Sequence, residues 1–70
     1  MKFNTGDKVM LTRTDEMSVM LAIGSVRTLA QAYEGPHGWW ALNPPVLNEY
    51  GEEAFWREDG MVLVQSARRR

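Results

Sequence analysis

Apolar and polar positions alternate in short runs along this chain, and turn residues separate the runs. Gly6-Asp7 marks a turn, and Lys8 to Arg13 follows as a strand. Val9 and Leu11 share one of its faces, while Lys8, Met10 and Thr12 share the other. Gly24-Ser25 is a second turn or bulge signal before a strand over Val26 to Tyr33. There Val26, Thr28, Ala30 and Ala32 alternate with Arg27, Leu29, Gln31 and Tyr33, and a bulge would swap some of them. Glu34 to Gly38 reads as a hairpin loop and Trp39 to Asn43 as the next strand. Pro44-Pro45 ends that strand, because proline cannot donate to a ladder. Val46 to Glu53 is polar and irregular. Ala54 to Arg57 is a further short strand, Glu58-Asp59-Gly60 a tight turn or single 3₁₀ turn, and Met61 to Val64 the closing strand.

Residues 14–21 fit two readings. Thr14-Asp15-Glu16 can open a helix with Met17, Met20 and Leu21 at helical spacing and Gly24 past its end. The same residues fit a long loop whose methionines fold over the core. A loop, or at most two helical turns, suits so short a segment.

Two adjacent tryptophans, Trp39 and Trp40, stand in the central strand. Neighbouring side chains of a strand point to opposite faces. Trp40 and Leu42 are expected in the core with Val9, Leu11, Val26 and Leu63, which turns Trp39 outward. The alternative is that the hairpin loop or Pro44-Pro45 covers Trp39. Tyr33 lies across the hairpin from Trp39, and with Trp56 the two would make an aromatic patch. Plain cross-strand packing is the other reading.

The chain has 70 residues, which bounds it to one domain, and it contains no cysteine. Disulfides and thiolate metal sites are therefore excluded. The cysteine usage fits the cytoplasm. No apolar signal segment follows Met1-Lys2, and the longest apolar run is far below the roughly 20 residues that span a bilayer. The reading is a cytoplasmic chain with no membrane segment, no cofactor and no metal.

Net charge is −1, unevenly placed. Six acidic side chains stand against Arg57 alone between residues 34 and 64, and Arg68-Arg69-Arg70 closes the chain. The acidic residues would suit a basic partner or simply keep the domain in solution. A domain-wide basic face for nucleic acid is missing.

Several motifs together carry a resemblance. Phe3-x-x-Gly6-Asp7-x-Val9-x-Leu11 opens the chain and Gly24-x-Val26 starts the second strand. Trp40-x-Leu42 lies in the third, and Glu58-x-x-Met61-x-Leu63 closes it. This pattern resembles the SH3-like small barrels, including the KOW-type modules. The Trp-x-Leu-x-Pro-Pro element is similar to one found in short uncharacterised phage and prophage proteins built on that barrel. The resemblance implies an all-β fold, a small five-stranded SH3-like barrel with a short 3₁₀ turn before the last strand. It would span 1–65 as a single domain, with 66–70 a flexible basic tail. Unlike KOW modules that bind ribosomal RNA, this chain is not basic. The paired-tyrosine motif of peptide-binding SH3 domains cannot be placed in it.

The functional expectation is a small non-catalytic module that binds a protein, phage-encoded and acting on a host or virion partner. The alternative is a KOW-like nucleic-acid-binding module, supported by Arg13, Arg27 and the basic tail and opposed by the overall charge. A homodimer through an open barrel edge suits either. The candidate partner-binding residues are Trp39, Tyr33, Trp56, His37 and Arg27. His37, in a Gly-Pro-His-Gly loop, reads as an exposed loop histidine. Nothing in the spacing ties it to Ser25 or Asp59 as a catalytic set. The carboxylates form no pair with acid and base roles.

Overall fold

The computed structural model describes residues 2–36 and 38–68. The chain is mostly β. A five-stranded antiparallel sheet has the order β6-β3-β2-β1-β7. Its strands are β1 (Lys8–Leu11), β2 (Val26–Tyr33), β3 (Trp39–Asn43), β6 (Trp56–Arg57) and β7 (Met61–Gln65). Between β3 and β6 the chain makes a separate two-stranded hairpin, β4 (Val46–Leu47) with β5 (Glu53–Ala54).

Strand β2 joins the two halves of the sheet. Its first residues, Val26 to Thr28, pair with β1, and Thr28 to Tyr33 pair with β3. The β2–β3 register shifts between Leu29 and Gln31. This bulge puts Leu29 and Ala32 on the core side and leaves Ala30 and Gln31 exposed. Strict alternation, which groups Ala30 with Ala32, fails there because a bulge adds one residue to the period of two.

The core holds Phe3, Val9, Leu11, Val19, Leu29, Trp40, Leu42, Val46, Ala54, Trp56 and Met61. Val9, Leu11, Trp40 and Leu42 are placed as the alternation expects. Val26 and Leu63 are not. Val26 pairs with Met10 on the outer face and is 47% exposed. Leu63 pairs with buried Val9, but at the sheet's edge it has no further strand to cover it, and it remains 49% exposed. Met61, opposite Leu11, takes the buried position instead.

The ambiguous segment forms a 3₁₀ helix, Met17–Ala22. With three residues per turn, side chains three apart share a face. Val19 and Ala22 therefore turn to the core, while Met17, Met20 and Ile23 turn outward. The methionines do not fold over the core. The expected strand 54–57 is divided at Phe55, since Ala54 pairs in the small hairpin and Trp56 pairs with Trp40. A second 3₁₀ turn, Glu58–Gly60, precedes β7 as expected. Among the described residues, no helix is long and apolar enough to cross a membrane.

Candidate functional site

The pairing of β2, β3 and β6 creates two cross-strand rows. Residues directly opposite in an antiparallel ladder lie on the same face. One row runs Ala32–Trp40–Trp56 and faces the core. The next runs Tyr33–Trp39–Arg57 and faces out. Adjacent tryptophans are thus assigned to opposite faces by the register itself.

Trp39 is half-buried, with the Arg57 guanidinium 5.9 Å from its ring centroid. Tyr33 is the cross-strand partner of Trp39, but its ring packs on Phe55, centroid to centroid 4.8 Å. Trp56 belongs to the core-facing row and reaches the outer surface only at the wall of the cleft. It is 2% exposed, and its indole N–H donates to the Gly60 carbonyl at 2.9 Å. Phe55 takes the place expected for it. Alternation within Phe55-Trp56-Arg57 carries that signal: pairing Trp56 with Trp40 turns Phe55 and Arg57 the other way.

Opposite the aromatic row stands the loop 13–16. Two backbone donors, Thr12 N–H and Arg13 N–H, bond the Gly60 carbonyl at 2.8 and 3.2 Å. That oxygen also accepts the Trp56 indole, so one carbonyl fixes the loop, the core tryptophan and the 3₁₀ turn together. Gly60 allows this because a Cβ there would overlap the Arg13 carbonyl oxygen. Further along, Thr14 Oγ1 accepts the Glu16 N–H at 3.1 Å. Ion pairs bridge the loop to β6 and the turn. Arg57 binds Asp59 at 2.9 Å and Asp15 at 3.8 Å, and Arg13 reaches Asp59 at 3.9 Å. Such exposed pairs contribute little stability, typically about 0–1 kcal/mol. The loop is therefore anchored at its base and adjustable at its rim. Arg57 Nε is buried without a hydrogen-bond partner.

Between the loop and the aromatic row lies a cleft of about 310 Å³, with Trp39, Phe55 and Trp56 as its apolar wall. A shallower groove continues past Tyr33, Asn48 and Glu53 and shares Glu16, Trp39 and Phe55 with the first. Four carboxylates, Asp15, Glu16, Glu53 and Asp59, line the combined surface against Arg13 and Arg57. Both arginines are already paired with Asp15 or Asp59. Among the described residues, Glu16 and Glu53 make no ion pair.

Arg27 lies away from this surface. Its guanidinium donates to the Pro44 carbonyl at 2.9 Å, and its Nε donates to Ser25 Oγ at 3.1 Å. It ties β2 to the segment after β3. His37 lies outside the described residues. Of the tail expected at 66–70, Ala67 N–H is held by Asp7 Oδ1 at 2.8 Å, and Arg69 and Arg70 lie outside the described residues. Among the described residues no group of three or more His, Cys, Asp or Glu is placed to hold a metal ion.

Alternation thus placed Tyr33 and Trp39 opposite one another on the outer face, and the sequence reading did not bring Phe55, Arg57 and the acidic loop to them. Asp15 and Glu16 are distant in sequence from the tryptophans, and only the fold brings them together. Compared with protein-family models, with curated proteins and with solved structures, the chain has no match in any of the three.

Proposed function

We propose that the chain is a small SH3-like barrel serving as a non-catalytic protein-binding module. Its ligand is an extended segment of a partner protein, seated between loop 13–16 and the aromatic row. The sheet order β6-β3-β2-β1-β7, the shared strand β2 and the 3₁₀ turn before β7 favour the barrel reading. One observation carries the binding reading. Half-buried Trp39 forms the floor of an open groove with Phe55 beside it and carboxylates along the opposite rim. Aromatic side chains in such a setting dominate binding energies at protein interfaces.

The ligand chemistry follows from the lining. An apolar side chain of the partner covers Trp39 and Phe55, and a neighbouring lysine or arginine meets Glu16 and Glu53. Nucleic acid is the poorer fit, since Arg13, Arg27 and Arg57 are each engaged within the protein.

The test is selection of short peptides on the purified chain, followed by affinity measurements with Trp39→Ala and Phe55→Ala. The expected result is a set of sequences pairing an apolar with a basic residue. Trp39→Ala should weaken them by about 2 kcal/mol or more, the magnitude of a hot-spot truncation. Peptides that bind both variants as well as the parent would overturn the assignment. So would tight, strongly salt-dependent binding of single-stranded nucleic acid in place of peptide.

A further inference from the structure

The strand at the other end of the sheet order has a different character. β7 pairs with β1 on one side, and among the described residues no ladder lies on its other side. Its residues Met61 to Gln65 include no charge and no proline. Unguarded edges are rare, because free backbone N–H and C=O groups template pairing with another strand. The edge is also apolar. Val62, Leu63 and Val64 are each about half exposed. On the outer face Val26, Met10 and Val62 form a continuous row across β2, β1 and β7, with exposures of 47%, 36% and 49%.

We propose that the occupant of this edge is a second copy of the chain, with β7 pairing antiparallel to its equivalent about a two-fold axis near Leu63. Two features select a second copy. The first is charge. Glu58-Asp59 precedes the strand and Arg68 follows it. Antiparallel pairing of two identical strands brings the acidic start of each beside the basic end of the other. Asp59 and Arg68 are both exposed, and the exposed pairs that Asp59 makes with Arg57 and Arg13 are weak enough to be exchanged for this contact. The second is self-complementarity. A two-fold contact presents the same patch from both sides, and about an axis near Leu63 the Val62 of each copy stands opposite the Val64 of the other, which carries the apolar outer face across the seam. The pairing joins two five-stranded sheets into one and satisfies the outward backbone groups of β7. It does not rest on the peptide-binding reading: Asp59 also lines the groove, but the β7 residues Met61 to Gln65 that form the edge do not.

Sedimentation equilibrium of the full chain over a range of concentrations tests the proposal. The expected result is a reversible rise from 8.0 kDa to twice that mass. Val62→Lys should raise the dissociation constant at least tenfold, by placing two like charges at the seam. Trp39→Ala should leave it unchanged, which separates this proposal from the groove reading. Raising the salt concentration should weaken the dimer. Amide exchange of the unaltered protein gives a second measurement that no misfolded variant can confuse. The outward amides of β7 should be protected only at concentrations where the dimer forms. A single 8.0 kDa species up to the solubility limit overturns the proposal. A dimer indifferent to Val62→Lys, strengthened by salt, or lacking concentration-dependent protection of β7 also overturns it.

Discussion

Trp40 is the larger of the two central tryptophans in its consequences for stability. Its ring is buried, and its indole N–H donates to Glu58 Oε2 at 2.8 Å. Glu58 is held in turn by its own backbone N–H, which bonds the Gly38 carbonyl at 2.9 Å. Gly38 has a positive φ of 63°, and a Cβ there would press on the Glu58 side chain at 2.9 Å. Glycine thus serves both the turn and the carboxylate beside it. Glu58→Ala should lower unfolding free energy by about 1–3 kcal/mol, the cost of leaving a buried donor unpaired. Glu58→Gln keeps an acceptor and should cost less. Urea denaturation followed by tryptophan fluorescence distinguishes the two. At this scale the sequence was informative about Trp39 and Trp40 because alternation is a local rule. It was silent about Glu58, because that partner lies eighteen positions away.

Among the elements, the 3₁₀ turn Glu58–Gly60 has the widest influence for its length. It leads from β6 into β7, and through the Gly60 carbonyl it holds the base of loop 13–16. The loop makes one wall of the groove, so the turn sets the groove's width. Gly60→Ala should force the Arg13 backbone away and destabilise the fold by about 1–3 kcal/mol, as overpacking commonly does. The amide resonances of Thr12 and Arg13 should shift, and peptide affinity should fall even though residue 60 lies outside the groove lining. Unchanged Thr12 and Arg13 resonances would refute this coupling. Strand positions were legible where alternation is regular, as in β1, and for Trp40 and Leu42 of β3, although Ala41 between them is buried as well. They were not legible where the period changes: the bulge beside Ala30, the three-residue turn of Met17–Ala22, and the division of 54–57 between two partners. Each depends on tertiary pairing, which a window of neighbouring residues does not contain.

For the molecule as a whole, the meeting of β1 and β7 is fastened by Asp7. This side chain is 2% exposed and acts as a clasp. Its Oδ2 accepts the Asn4 N–H at 2.9 Å and its Oδ1 accepts the Ala67 N–H at 2.8 Å. Sequence reading took Gly6-Asp7 as a turn, which it is, but the second bond spans sixty positions. Asp7→Ala should remove both acceptors and cost at least about 1–3 kcal/mol. Hydrogen exchange at Asn4 and Ala67 should accelerate more than at the centre of β2. Equal acceleration throughout would show that the clasp merely contributes to global stability. The same clasp fixes where the backbone arrives at the sheet and where it departs. Gly6 and Ala67 are in contact, a Cβ on the former lying 3.1 Å from that of the latter. A fold whose points of arrival and departure coincide can be carried inside a surface loop of a larger host protein, because it spreads that loop by little more than one strand spacing. It can equally be threaded in series with copies of itself, or reopened at the 34–38 hairpin with positions 4 and 67 joined by a short linker. The carboxylate that ties the segment before β1 to the segment after β7 thereby makes this unit portable between chains.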